Sequence, residues 1–505
     1  MAWVNEINTD RDVDRWLAPG TDGALVWIGT GLPAVGLEPG ALFSEEHETA
    51  ARRLMKGCHP QTGAPLFASR ASVRAHRKAT LAVAPLLRAI EEKAAAAGVE
   101  PGALLEGKPK QQKTLAGQQR LVIKEGETQR LNIVTVHKLA RAVGIDLPDV
   151  YGRAELETAW RHKDLRVDSR VPGWCVVLDL PKSDSVLAGL LPERAESEYR
   201  LLVQEARADT LNAAEQLIGY AVRSQDGDLA RIATQGLLGW SSEHRAARPM
   251  GDAQPGDPHL RLHVVLANLA LCEDGTWRSI ANSGMDLYRH ASVLDAFFKA
   301  RVRLLALQRF GVRRVRSQTT GAWEVEGISR LLCTTFSRRA QQVNEDAGAG
   351  ASVEDKRRVS AWALRFTHAV ASADTMRESW RQRAEAAGID VDAMVAGAAP
   401  GPGSNDSSGT GPRIPPPDQL AALVLGPGTG LTGATKGELT RAELMAAVAN
   451  ALPYGFGTDL GELQRLADDV LRADGYTVAL PHRGSTLMSS TARYGLHHGE
   501  SVGPS

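Results

Sequence analysis

The stretch GDPHLRLHVVLANLALCEDGTWRSI, residues 256–280, decides the fold of this chain. Its run LRLHVVLANLAL is a short apolar segment of the kind that forms a strand. Side chains alternate between the two faces of a strand, so His259, Arg261 and His263 are expected on one face. The segment therefore predicts a core strand that carries a row of basic side chains on one side.

Other apolar runs flank this strand between residues 171 and 327. WCVVLDL, EYRLLVQEARADTLNAAEQLIGYAV and LARIATQGLLGW mix strand-like and helical patterns without a regular βα repeat. This mixture predicts an α+β domain whose sheet is largely antiparallel. Further upstream, helical spacing predicts a helix that ends near Gly98 and another in VTVHKLARAVGI.

The composition is that of a globular protein with more than one domain. The chain has 505 residues, of which 43% are hydrophobic, and this length predicts two or three domains. No stretch approaches the roughly 18–20 apolar residues that cross a bilayer, and the polar N-terminus does not resemble a signal peptide. The four cysteines form no CxxC pair, which fits a reducing cytoplasm. Because the net charge is zero, any nucleic-acid surface must be a local patch.

A segment rich in glycine, proline and serine, GAAPGPGSNDSSGTGPRIPPP at 397–417, marks the clearest domain boundary. We therefore expect a main domain over residues 1–395, with an insertion near 101–170, and a linker over 396–418. Two helical patterns follow the linker and predict a small helical module over 419–490. The last residues, 491–505, are expected to be disordered.

The stretch at 256–280 resembles a segment of the TrwC-type (TraI-like) conjugative relaxases. The residues that match the family in order are Asp257, Pro258, Leu260, His263, Asn268, Leu269, Asp274, Gly275 and Trp277. SSEHRAAR upstream, WEVEGISRLLCTTFSRRAQQV downstream and GWCVVLDLPKSDSVL at 173–187 are similar to further family segments. The similarity covers about residues 1–395, and the part beyond the linker resembles the start of a helicase region.

This resemblance implies an HUH endonuclease fold, an antiparallel sheet flanked by helices, in a cytoplasmic protein. It implies single-strand nicking and strand transfer at a transfer origin, with single-stranded or origin DNA and other conjugation proteins as partners. In the family, three histidines hold a divalent metal such as Mg, Mn or Zn, and an N-terminal tyrosine attacks the phosphate.

The metal ligands are only partly matched. His244 and His263 stand at family ligand positions, but Arg261 stands at the third. His259 is a doubtful replacement, because positions four apart lie roughly 13 Å apart along a regular strand. Arg261 is a permanent cation that could bind a phosphate directly, so the site holds either a divalent metal or none.

Two other catalytic positions also differ from the family. Trp16 stands at the likeliest place of the family tyrosine, and the first tyrosine of this chain is Tyr151. Cys175 stands at the position of a family aspartate, with Asp179 four residues further on. Because Cys175 lies in an apolar strand, we expect it to be a small buried residue and not a catalytic thiol. Together the three changes predict lost or altered chemistry.

A basic run at 299–316 is the candidate DNA-binding surface, together with Arg261. Its members are Lys299, Arg301, Arg303, Arg309, Arg313, Arg314 and Arg316. They could neutralise backbone phosphates, and Trp240, Trp277 and Trp323 could stack on bases. A solvated helix face and core tryptophans are the alternatives.

Three functions therefore remain open. The chain is an altered relaxase, a catalytically inactive DNA-binding accessory protein, or a decayed relaxase fragment.

Overall fold

The computed structural model describes most of the chain, in fifteen segments. They are residues 3–17, 25–67, 73–75, 77–125, 129–164, 166–168, 171–225, 228–247, 255–348, 350–352, 371–403, 414–426, 438–473, 477–479 and 493–496.

Strands and helices alternate irregularly in these segments. The strands are β1 Trp3–Ile7, β2 Val26–Ile28, β3 Val73–Ala75, β4 Thr80–Ala82, β5 Arg130–Asn132, β6 Arg166–Asp168, β7 Gly173–Asp179, β8 Tyr220–Gln225, β9 Asp228–Ala233, β10 Gly239–Ala246, β11 Pro258–Ala267, β12 Ala270–Leu271, β13 Trp277–Arg278, β14 Arg314–Arg316, β15 Trp323–Val325, β16 Glu438–Thr440, β17 Thr477–Ala479 and β18 Arg493–Leu496. The helices are α1 Asp10–Leu17, α2 Glu45–Met55, α3 Ala84–Ala96, α4 Pro109–Glu125, α5 Ile133–Val143, α6 Arg153–Arg161, α7 Lys182–Leu190, α8 Glu193–Ile218, α9 Met285–Phe310, α10 Arg330–Thr335, α11 Arg338–Ala347, α12 Ala373–Ala386, α13 Val391–Ala398, α14 Pro417–Leu425, α15 Arg441–Ala451 and α16 Leu460–Arg472.

A five-stranded antiparallel sheet forms the centre of the fold, with strand order β1-β7-β11-β10-β2. The deciding stretch supplies the middle strand, β11, which pairs with β7 on one side and β10 on the other. The prediction of an α+β fold with an antiparallel sheet flanked by helices is therefore confirmed.

The two faces of this sheet have different neighbours. One face carries Leu262 and its cross-strand partner Glu243, which is buried and accepts hydrogen bonds from Arg200 and Gln204 of α8. The other face carries Arg261, because neighbouring residues of a strand point to opposite sides. Helix α8 thus covers the face that carries Glu243, and the basic residues of β11 lie on the opposite face.

The chain divides into two compact units. One unit is residues 68–170, here called the inserted unit, and the other is residues 1–67 with 171–505, here called the sheet unit. The insertion expected near 101–170 thus begins about thirty residues earlier in the structure. The inserted unit has its own hydrophobic core, contributed by α3, α5 and α6, with Leu86, Ile90, Val136 and Leu139 fully or almost fully buried.

The segment beyond the linker is part of the sheet unit. Helix α15 packs against α9, and both helices contribute to one hydrophobic core. A small antiparallel sheet of order β16-β18-β17 accompanies the helices, so this segment is not purely helical. Strand β18 lies within the tail that was predicted to be disordered, and residues 497–505 lie outside the described residues. Linker residues 404–413 also lie outside them.

No helix within the described segments has both the length and the apolar character needed to cross a membrane.

Candidate functional site

Three central strands bring Asp179, Arg261 and His244 into one row across the sheet. Arg261 of β11 lies directly opposite Asp179 of β7 and opposite His244 of β10. His263 follows two residues later on β11, and strand alternation therefore places it on the same face as Arg261. Antiparallel pairing thus gathers residues that are far apart in the sequence.

The two histidines at the family ligand positions are in contact. Their ring centroids lie 4.3 Å apart with an angle of 45° between the ring planes. The edge of Trp16 packs on His263 at a centroid distance of 4.9 Å. Trp240 fixes this arrangement, because its indole N–H donates to the backbone oxygen of Trp16 at 3.1 Å. The indole ring of Trp16 therefore packs against His263, one of the two histidines.

The charge of the site comes from arginine and lysine. A guanidinium N–H of Arg261 donates to the backbone oxygen of Ala246 at 2.8 Å, which orients the side chain. Burial, and then the positive charges around the ring, hold the pKa of His263 well below its usual range. Burial lowers the pKa of Lys182, whose ammonium donates to the Pro258 oxygen at 2.6 Å, to about 8. At neutral pH the imidazole of His263 is therefore uncharged and Arg261 is a permanent cation.

The residues present do not fit an ion held by three histidines. Among the segments that the structure describes, no three His, Cys, Asp or Glu side chains are grouped so that they could hold a metal ion. His259 does not complete the set, and burial together with Arg261 holds its pKa well below the usual range. Asp179 is already engaged, since its carboxylate lies 3.3 Å from the ammonium of Lys299. Arg261 places a cation where the third neutral ligand would be needed.

Cys175 is a core residue in this structure. It pairs with Asn5 of β1 and Val265 of β11 and is completely buried. Burial raises the pKa of its thiol above the usual range, so the reactive thiolate is disfavoured. Cys175 therefore supplies no nucleophile.

The sequence of residues 6–387 matches the family described as TrwC relaxase. The chain belongs to the TrwC relaxase family. This membership confirms the resemblance that was read from the stretch at 256–280. No curated protein matches the chain.

Solved structures of a TrwC relaxase have similar folds. The metal-free TrwC relaxase in complex with OriT DNA is 19% identical, with a TM-score of 0.48. The copper-bound TrwC complex with OriT DNA is 18% identical, with a TM-score of 0.48. TrwC complexed with a 27-mer DNA, comprising the recognition hairpin and the cleavage site, is 18% identical with a TM-score of 0.46. Each alignment covers 77% of this chain and 100% of the other.

Most of the basic run at 299–316 is turned inward in this TrwC-family chain. Arg301 is buried and pairs with Asp209 at 2.8 Å, whereas Arg309 lies at the surface and pairs with Glu205. Arg303 is buried and donates to the backbone oxygens of Ala449 and Leu452. The side chains of Arg301 and Arg303 stabilise the interior, where burying a charge requires partners.

The side chain of Arg314, another member of the run, is completely buried. It makes two hydrogen bonds to Asp184, of 2.6 and 2.8 Å, and Asp184 also accepts a bond of 2.6 Å from the Tyr199 hydroxyl. Arg313 and Arg316 are exposed. Arg309 is also exposed but is paired with Glu205, so the proposed DNA surface of this run narrows to Arg313 and Arg316.

The three tryptophans proposed for stacking differ in their access to solvent. Trp240 is completely buried, whereas Trp277 and Trp323 are half-buried. The Trp323 indole donates to the Asn450 oxygen at 2.8 Å, and the Arg316 guanidinium lies 5.9 Å from its ring centroid. Only the last two could offer part of a ring to a base.

Sequence reasoning missed Lys182 and Arg15 as members of the site. Arg15 lies over the Trp16 ring at 4.6 Å, and Lys182 lies close enough to His259 to lower its pKa. Their signals were present, since Arg15 precedes Trp16 and Lys182 begins the helix that follows β7. Neither could be assigned without knowing which elements meet at β11.

Proposed function

We propose that this TrwC-family protein binds single-stranded DNA of a transfer origin without the metal-assisted cleavage of the family. The observation that carries the proposal is Arg261 in the row across the sheet, beside the contacting histidines His244 and His263, with Trp16 packed on His263. Cytoplasmic action and association with other conjugation proteins belong to the same proposal.

Arg261 is suited to hold a phosphate of the DNA backbone. A guanidinium keeps its charge at every physiological pH and presents N–H donors in a fork that matches phosphate oxygens. The ring N–H groups of His244 and His263 beside it can donate hydrogen bonds to the same anion. The site therefore offers anion recognition from protein side chains alone.

The side chains at the catalytic positions do not supply a nucleophile. The indole of Trp16 has no oxygen that could attack a phosphate and form a covalent link. The Cys175 thiol is buried and its pKa is raised. Binding without strand scission is therefore the expected behaviour.

The experiment follows binding and cleavage in one preparation. Labelled single strands tiled across the DNA that flanks the gene are incubated with the full chain, with EDTA or with Mg²⁺, Mn²⁺ or Zn²⁺. We expect salt-sensitive binding that is equal with and without metal, and no nick or covalent adduct. Arg261→Gln should weaken binding about tenfold, whereas Arg194→Gln, which changes an arginine on the surface of α8 with 94% side-chain exposure, should not.

The second candidate is a relaxase with altered chemistry, and the contact between His244 and His263 favours it. A metal-dependent nick or adduct in this experiment would establish that candidate and overturn the first. Absence of DNA binding at low salt would overturn both. A melting curve without cooperative unfolding would then identify a decayed fragment.

A further inference from the structure

The inserted unit is the basic part of a neutral chain. Residues 68–170 contain 19 Lys and Arg residues against 12 Asp and Glu, whereas the whole chain has 59 of each. The positive charge that the whole molecule lacks is therefore concentrated in this unit, and a local excess of this kind attracts polyanions.

A cavity of about 900 Å³ lies on this unit and is lined by α5, α6 and the segment that joins them. His137 and Arg141 lie one turn apart on α5 and so share a face. Arg153 and Trp160 lie two turns apart on α6 and share a face in the same way. The side chains of both helices line the same space.

Trp160 gives this cavity an aromatic surface. Its side chain is 37% exposed although it is one of the largest apolar groups of the chain. The His137 ring packs against it edge-on, with centroids 5.4 Å apart and an interplanar angle of 74°. An indole ring that is partly exposed to solvent is suited to stack on another flat ring.

Two of the three arginines that line the cavity form no ion pair with any residue that the structure describes. Arg153 is paired with Glu157 at 3.0 Å. Arg141 and Arg161 line the cavity, are exposed, and make no ion pair within the part of the chain that the structure describes. With three arginines against two acids, Glu157 and Asp146, the lining keeps a positive charge.

We propose that this cavity is a second site for single-stranded DNA, in which a base stacks on Trp160 while Arg141 and Arg161 hold the neighbouring phosphates. An unpaired base exposes the flat face that an indole can stack on, whereas the bases of a duplex are already stacked on each other. The site lies in the inserted unit and uses none of the residues around Arg261, so it can be tested independently of the proposed function.

The test measures binding of fluorescein-labelled oligo(dT), which forms no hairpin, to the full chain by anisotropy at several salt concentrations. All variants carry Arg261→Gln, so that the sheet site contributes little. We expect Trp160→Ala to weaken binding about tenfold and Trp160→Phe to keep most of the affinity. Arg141→Gln with Arg161→Gln should weaken it and reduce the slope of log K against log salt by about 1.4, since each lost phosphate contact removes about 0.7.

Arg120→Gln is the matched control, because it removes an exposed arginine of the same unit that does not line the cavity. It should leave affinity unchanged. If the cavity variants bind oligo(dT) with the same affinity as the Arg261→Gln parent, the proposal is overturned. If Trp160→Ala does not fold, the variant that changes the exposed Arg141 and Arg161 still provides this test. Equal affinity for duplex DNA, or for the mononucleotide dTMP, would also overturn it.

The two proposals fail in different ways. If Arg261→Gln leaves the binding of the flanking DNA strands unchanged while the cavity variants lose oligo(dT), the proposed function fails and the second site stands. The reverse pattern removes only the second site.

Discussion

Arg261 decides what the sheet site can bind, because its neighbours already include two of the three histidines that the family uses. We expect Arg261→His to create a metal site, since it puts a third imidazole opposite His244 and two residues from His263. Isothermal titration with Mn²⁺ and Zn²⁺ should show at least about tenfold tighter binding than in the parent chain.

Arg261→Gln separates loss of charge from gain of a ligand. This variant removes the cation without adding an imidazole, and it should bind metal as weakly as the parent chain. If both variants bind metal equally well, repulsion by the guanidinium, and not the lack of a third ligand, prevents metal binding in the parent chain.

Single residues of the site could be found from the sequence because alignment with the family motif assigns each of them a position. His244, His263, Trp16 and Cys175 were all singled out in this way, and the structure brings His263 into contact with both His244 and Trp16. The pairing of Asp179 with Lys299 could not be found, because it depends on α9 reaching the end of β7. Spacing along one strand carries no information about a helix that is 120 residues away.

Strain is concentrated in the connection that leads into α9. Ala281, Asn282 and Ser283 have positive φ angles of 50°, 52° and 55°, and Gly284 follows with 87°. A non-glycine residue pays about 1 kcal/mol or more for this left-handed conformation. We expect Ser283→Gly, an exposed position, to raise the free energy of unfolding by about 0.5–1 kcal/mol, as measured by urea denaturation.

Gly284→Ala provides the opposite change in the same turn. A Cβ atom there would lie 2.0 Å from the Trp174 ring, and φ would remain positive. The variant should lose about 2–4 kcal/mol of stability. A destabilised Ser283→Gly would show that the turn is held by the serine side chain and that its backbone is not strained.

Helix α9 shows why a basic run is a weak predictor of a DNA surface. Phe297, Phe298, Val302 and Leu305 are buried on several sides of the helix, so the arginines between them are buried as well. The all-round apolar pattern of FFKARVRLLAL was the available signal, since a helix that is apolar on every side is enclosed. Charge alone did not show which acids of α8 would meet it.

At the scale of the whole molecule, the linker composition predicts a domain boundary, but helices on both sides of the linker pack into one hydrophobic core. A composition rich in glycine, proline and serine indicates that no core forms within a segment, but it does not determine where the next helix docks. Leu444, Met445 and Val448 of α15 are completely buried in the same core as α9. The contacts of Arg303 with Ala449 and Leu452 also tie the segment after the linker to the sheet unit.

Cutting the chain in the linker tests this unity. With a protease site placed within residues 404–413, we expect the two fragments to co-elute on gel filtration after cleavage and to separate only in denaturant. The reason is that the second fragment covers apolar residues of α9 and accepts hydrogen bonds from Arg303, a cation whose partners would otherwise be lost. The uncut protein sets the reference volume. An independent module would instead release the second fragment in native buffer, and the first fragment alone would keep its melting temperature; both results would contradict a shared core.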